Sequence, residues 1–306
     1  MLFRSYHRSF CRSPPVSDAT IRPPTLVTTP STGTRRFDLR RVYTAVLLIP
    51  GVYVIICHLP PWALTLLLLV GGGLALLELY RICFQPRPNH ALVGTGLALS
   101  ALVLARHHLS VDLTDLLTVG ILALPAALLL SPGPAERRMK DAAITAFGVL
   151  YVGLALSIVV STRLLTGGEW LVLFLALVTW AGDTGAYYAG TLWGKHLLAP
   201  SISPKKTVEG LLGGIGLAVA AALLAQVWFV PQLQLMDTVI LGVVLTGAGL
   251  VGDLFESAIK RRVGVKDSGS ILPGHGGMLD RIDSLLFTAP AFYYYVTWVR
   301  GIAPPP

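Results

Sequence analysis

The sequence predicts an all-α, polytopic integral membrane protein with about nine transmembrane helices, its N-terminus inside and its C-terminus outside. Three observations carry that reading: an apolar composition, apolar runs of spanning length along most of the chain, and a lopsided distribution of Lys and Arg. Of the 306 residues, 54% are hydrophobic and only 13% are charged, where a soluble domain carries about 25% charged residues. The mean hydropathy of +0.68 is one that a water-soluble chain sustains only by exposing large apolar patches. A soluble enzyme, a disordered protein and a secreted disulfide scaffold are all disfavoured. The net charge of +8 would suggest nucleic acid in a soluble protein; here membrane topology accounts for it, and no nucleic-acid partner is expected. Cys11, Cys57 and Cys83 lack metal or disulfide spacing and are taken as packing or tail residues.

Residues 1–40 form a separate region, a basic and disordered N-terminal tail. Eight arginines occur at or beside it (4, 8, 12, 22, 35, 36, 40 and 41), with two acids and many Ser, Thr and Pro, and no run is apolar enough to bury. Its composition fits a cytoplasmic tail lying on anionic lipid or an organelle transit peptide. From residue 41 to 306 the chain is one multi-spanning domain. A helix needs about 20 apolar residues to cross ~30 Å of hydrocarbon. Nine candidate spans follow: 42–58, 62–80, 91–105, 116–130, 142–161, 170–192, 208–230, 235–252 and 284–299. Pro, Gly or charge fills nearly every gap, as expected where backbone meets water.

Nine spans place alternate loops on opposite sides, and the basic residues test that count. Outside the tail, 13 Lys and Arg fall on the N-terminal side and three (Arg106, Arg163 and Arg300) on the other. The positive-inside rule predicts such a split for an N-in chain. The last two inward loops are also long, polar and glycine-dense, so the site is expected at the cytoplasmic face, mainly within 180–283.

Ionisable groups inside spans cost roughly 2.5–3.5 kcal/mol on insertion scales, so each needs a reason. Glu78, beside Tyr80 and Arg81, is expected to snorkel at the interface. Asp183 stands in WAGDTGAYYAGTLWGKH, between Gly182 and Gly185. Small residues there leave room for a ligand or metal, or else form a helix-packing stripe. The next loop, PSISPKKTVEG, supplies Ser203, Lys205, Lys206 and Thr207, with Glu209 opening the following span. Lysines and hydroxyls at a helix start suit a polyphosphate, although two interfacial lysines also serve as a topology signal. Then comes GDLFESAIKRRVGVKDSGSILPGHGGMLDRID. Asp253, Glu256, Ser257 and Lys260 fall at i, i+3, i+4 and i+7, on one helix face. Arg261, Lys266 and Asp267 follow, then a Pro-Gly-His275-Gly276-Gly277 turn whose amides suit anionic oxygens, then Asp280, Arg281 and Asp283. Carboxylates that suit Mg²⁺, among bases that neutralise phosphate charge, fit metal-assisted phosphoryl or nucleotidyl transfer.

The stretch from Ser257 to Asp283 resembles the signature of the phosphatidate cytidylyltransferase (CDP-diacylglycerol synthase) family. Its pattern is S-x-hydrophobic-K-R-x4-K-D-x-small-x2-hydrophobic-P-x-H-G-G-hydrophobic-x-D-R-hydrophobic-D, and every fixed position is met. The family's upstream DT-x-AY and SPKKT-x-EG elements stand at 183–187 and 203–210. The resemblance runs over about 41–299. It implies a Mg²⁺-dependent reaction of CTP with phosphatidate in the bilayer, giving CDP-diacylglycerol and pyrophosphate at a bacterial inner membrane, and a homodimer. In that reading Asp253 and Asp280 hold metal, with Asp183 and Asp283 as further ligands. Lys205, Lys206, Lys260, Arg261, Lys266 and Arg281 clamp phosphates, and Ser203, Thr207 and Ser257 donate hydroxyls. Asp267 belongs to the catalytic set, and Glu209, Glu256, Gly276 and Gly277 to the substrate-binding set. His275 either donates to a phosphate or holds its turn.

Two rival classes stay in view. A transporter would also embed acids and break its helices with glycine, but it predicts internal repeats and acids near the midplane. Another CTP-dependent membrane lipid kinase would share the nucleotide chemistry and transfer the γ-phosphoryl instead. A CDP-alcohol phosphotransferase is disfavoured, because its DG-x2-AR…G-x3-D-x3-D arrangement is missing.

Overall fold

Apolar runs with little charge and few interior prolines satisfy their backbone groups within the segment, and in the computed structural model they do so as long helices. The structure describes residues 50–84, 88–265, 268–269 and 276–305. A helical segment over 50–57 precedes α1 (Pro61–Cys83), α2 (His90–Leu109) and α3 (Leu113–Leu129). Next come α4 (Ala135–Arg163, with a π-helical turn at Val149–Leu154) and α5 (Gly168–Trp193). After a hairpin follow α6 (Val208–Trp228), α7 (Leu235–Arg262) and α8 (Leu279–Tyr294), which runs on as a π-helical turn at Tyr295–Val299. Among the described residues six helices (α1, α2, α4, α5, α6 and α7) are long and apolar enough to cross a membrane, and α3 is a shorter apolar helix. All described residues belong to one unit, Leu39–Pro306. The expected 1–40 tail lies outside the described residues.

The expectation of an all-α chain needs one correction. The loop between α5 and α6 forms an antiparallel hairpin, β1 (Leu197–Ala199) with β2 (Ser203–Thr207), paired Leu197 to Thr207 and Ala199 to Ser203. Ser203-Pro-Lys-Lys-Thr207 therefore enters α6 as a strand, and the Thr207 side chain caps that helix by accepting from the Gly210 N–H at 3.1 Å.

Two apolar clusters hold the helices. The first gathers Leu171, Phe174 and Leu175 of α5, Ala218, Ala222 and Ala225 of α6, Leu241 and Leu245 of α7, and Ala289 and Phe292 of α8. Phe174 and Phe292 stack there with ring centroids 5.5 Å apart. The second gathers Leu76, Leu79 and Tyr80 of α1, Leu104 of α2, Val152 and Leu156 of α4, and Leu279 and Leu286 of α8. Helix α8 belongs to both clusters. In the second, the buried Tyr80 hydroxyl donates to the Thr145 carbonyl at 3.0 Å.

Small residues set the closest helix approaches. A Cβ at Gly185 of α5 would stand 2.6 Å from the Gly213 carbonyl oxygen of α6. One at Gly252 of α7 would stand 2.5 Å from the Asp283 carbonyl oxygen of α8. Backbones meet without intervening side chains, as in membrane-type helix packing. The outward faces are apolar. Trp62, Trp193, Trp228 and Trp298, all at or near helix ends, are exposed.

Gly252→Ala should therefore force α7 and α8 apart and cost about 1–3 kcal/mol, as overpacking does. Gly216→Ala on α6, whose added methyl meets nothing within 4 Å, should leave thermal stability in detergent unchanged or raised. Equal melting temperatures for the two variants would contradict this packing.

Candidate functional site

Helices α5, α6, α7 and α8 and strand β2 line a cavity of about 660 Å³. Each element contributes through its local geometry. On α5, Asp183 faces the cavity between Gly182 and Gly190, while Gly185 is used up in the contact with α6. On β2 the lining residues are Ser203, Lys205, Lys206 and Thr207. On α7, Asp253, Glu256 and Lys260 line it at i, i+3 and i+7, a helical face. On α8, Asp280 and Asp283 do so at i and i+3, with Ser284 beside them.

The charges sort into two groups. In the first, the Lys206 ammonium pairs with Asp253. Asp183, Asp253 and Asp283 act on one another and on Lys206 electrostatically, and the Ser284 hydroxyl hydrogen-bonds Asp183. Three carboxylates thus face one ammonium. In the second, Lys260 donates to Glu256 at 2.9 Å and to Asp280 at 2.5 Å. Asp280 lies ahead of the apolar stretch 284–299, and its carboxyl sits low, at about 2. Burial pushes it up, but hydrogen bonds with Glu256 and Lys260, with the ammonium charge, pull it down further. Its Oδ2 also accepts the Gly277 N–H at 3.2 Å and the Ser268 hydroxyl at 3.0 Å. Glu256, 1% exposed, acts electrostatically on both Asp280 and Asp283 and so links the groups.

Residues singled out from the sequence fall in different places. Ser257, Arg261 and Arg281 are not among the cavity-lining residues; Arg261 and Arg281 are exposed. Glu209 does not line the cavity either. Its Oε2 accepts the Lys195 and His196 N–H groups at 3.0 and 3.2 Å, and Oε1 meets His196 Nδ1 at 2.5 Å, so it ties the end of α5 to the start of α6. Gly276 has φ +82°, a left-handed conformation that suits glycine, and turns the chain toward α8. Lys266, Asp267 and His275 lie outside the described residues. Sequence reasoning missed Thr246, Leu250, Thr191 and Tyr187 as cavity walls. Helical spacing from Asp183 and Asp253 places Tyr187 at i+4 and Thr246 at i−7, a signal present but unused.

Donor chemistry determines what this cavity can hold. Its acids offer hard oxygen ligands only, and the first group carries more carboxylate than ammonium. Among the described residues no set of three His, Cys, Asp or Glu closes a metal cage. An open set of carboxylates fits a cation that keeps several waters and takes further oxygens from phosphates, as Mg²⁺ does. Lys205 and Lys206 on an extended strand, with Ser203 and Thr207, provide the complementary donors for a polyphosphate.

Comparison with known proteins agrees with this chemistry. A protein named phosphatidate cytidylyltransferase from Staphylococcus saprophyticus is 45% identical over 150 residues, covering 49% of this chain and 57% of that protein. Its namesake from Staphylococcus haemolyticus is 46% identical over 152 residues, again 49% and 57% of the two chains. Escherichia coli contributes an uncharacterized protein, YnbB, 44% identical over 137 residues, 45% of this chain and 46% of its own. The chain spans about half the length of the curated relatives it matches. The model of the cytidylyltransferase family matches residues 39–299, through all the elements that build the cavity, and the chain belongs to that family.

Proposed function

We propose that this chain is a phosphatidate cytidylyltransferase, joining CTP to phosphatidate to give CDP-diacylglycerol and pyrophosphate. The observation that carries the reading is one cavity holding Asp183, Asp253, Asp280 and Asp283 with Lys205, Lys206 and Lys260. A phosphate oxygen of phosphatidate attacks the α-phosphorus of CTP. The bond from that phosphorus to the bridging β-phosphate oxygen breaks, and pyrophosphate leaves with the electron pair. The attacking oxygen is already ionised, so no side chain of the protein becomes covalently modified. What the reaction needs is alignment and charge neutralisation. Lys205 and Lys206 meet the triphosphate from β2, and Ser203 and Thr207 donate to its oxygens. Lys260, between α7 and α8, meets the lipid phosphate or the leaving group. Asp253, Asp183 and Asp283, with Asp280 nearby, would hold Mg²⁺, which supplies charge neutralisation on the phosphates.

In this reading the nine apolar runs all cross the bilayer, N-terminus in and C-terminus out, in a bacterial inner membrane. The charge split of Lys and Arg, the exposed tryptophans near helix ends and the bacterial relatives support it. The cavity then opens on the cytoplasmic face, where CTP is dissolved and the phosphatidate headgroup lies. A homodimer stays a proposal from family resemblance. Neither a transporter nor a lipid kinase gains a specific observation.

Membranes containing the protein, given phosphatidate, Mg²⁺ and CTP labelled at the α-phosphate, should place label in the lipid phase and release pyrophosphate. Label entering lipid from γ-labelled CTP would identify a kinase and contradict the proposal. Asp280→Asn should abolish the transfer, and Lys206→Met should lower it by roughly 10²-fold or more, both in protein that still folds and inserts. Retained Mg²⁺-dependent turnover in Asp280→Asn would remove that residue from the site.

A further inference from the structure

Glu78, on α1, takes no part in the chemistry above, yet it is among the most enclosed acids in the protein, 1% exposed. It does not snorkel. Its Oε2 accepts the backbone N–H of Leu279 at 2.9 Å and the hydroxyl of Ser268 at 3.2 Å. Leu279 opens α8, and the residue before it, Met278, offers no side-chain cap. A carboxylate from a helix about 200 residues earlier thus satisfies one free N–H at the start of α8 and places negative charge at the positive end of its dipole. The same Ser268 hydroxyl lies 3.0 Å from Asp280 Oδ2. Its single proton serves one carboxylate at a time, so Ser268 couples Glu78 to the cavity residue.

Steric detail agrees. A Cβ at Gly269 would stand 2.5 Å from Glu78 Oε1, and one at Gly277 would stand 2.7 Å from Oε2 and overlap the Ser268 hydroxyl. Gly269 and Gly277 thus leave no room for a side chain beside this carboxylate. Oε1 is buried without a hydrogen-bond partner among the described residues, a cost retained against the usual rule for buried polar groups.

We infer that Glu78 is a positioning residue, which fixes segments 268–269 and 277–280 so that Asp280 faces Lys260 in the cavity. The inference rests on the proposed cytidylyl transfer for its meaning but has a readout independent of it. Hydrogen exchange on the full-length protein in detergent should show the 277–283 amides of Glu78→Gln exchanging about tenfold faster, the scale of one weakened charged hydrogen bond. Peptides from the α5–α6 contact should not change. Turnover of Glu78→Gln should fall and need several-fold more Mg²⁺ for half-saturation, with KM for CTP little altered. Ser268→Ala, which keeps the Glu78–Leu279 bond, should shift the Mg²⁺ requirement the same way with a smaller change in exchange. Unchanged exchange at 277–283, or an equal rise throughout the protein, would overturn the inference. A wild-type protein that transfers no cytidylyl group would overturn the proposed function instead, and the exchange result would still decide the placement of α8.

Discussion

Helix α8 is pressed against α7 where Gly252 meets the Asp283 carbonyl, with no room for a methyl group between them. That contact brings Asp253, Glu256 and Lys260 opposite Asp280 and Asp283 and makes a single cavity from acids that are separate in sequence. Helix α8 also has buried residues in both apolar clusters, Ala289 and Phe292 in one and Leu279 and Leu286 in the other. Its position is fixed from both sides, and carboxylates borne on such an element lose little further freedom when ligand arrives.

Gathering carboxylates in a low-dielectric setting is costly unless they are paired. Here lysines from different elements supply the partners: Lys206 from β2 for Asp253, and Lys260 from α7 for Glu256 and Asp280. On the proposed function those ammonium groups change partner rather than appear from water. The carboxylates would hold a divalent cation, which would supply charge neutralisation, and the lysines would turn to phosphate. Charge would then stay balanced through the exchange.

Much of this was legible in the sequence. The apolar runs from 62 onward map onto the helices because backbone satisfaction in apolar surroundings leaves few alternatives to a helix, while residues 42–49 of the first run lie outside the described residues. The face carrying Asp253, Glu256 and Lys260 follows from a period of 3.6 residues. The hairpin was not legible: Ser203 to Thr207 is too short and too polar to announce a strand, and its partner Leu197–Ala199 is three residues long. Glu78 misled because its near neighbours, Tyr80 and Arg81, suggest an interface, whereas its partners Ser268 and Leu279 stand about 190 and 200 residues away. Glu209 reads as part of a lysine-rich binding loop, but its hydrogen bonds run backward to Lys195 and His196. In both cases the local pattern gave the residue's chemistry and tertiary packing gave its partner.

The central claim is that this cavity binds a nucleoside triphosphate together with a divalent cation. Calorimetric titration of purified protein with CTP, in the presence and absence of Mg²⁺, tests it most directly. The account predicts saturable binding that requires Mg²⁺ and is lost in Asp253→Asn. Binding of equal strength without the cation, or undiminished in that variant, would contradict it.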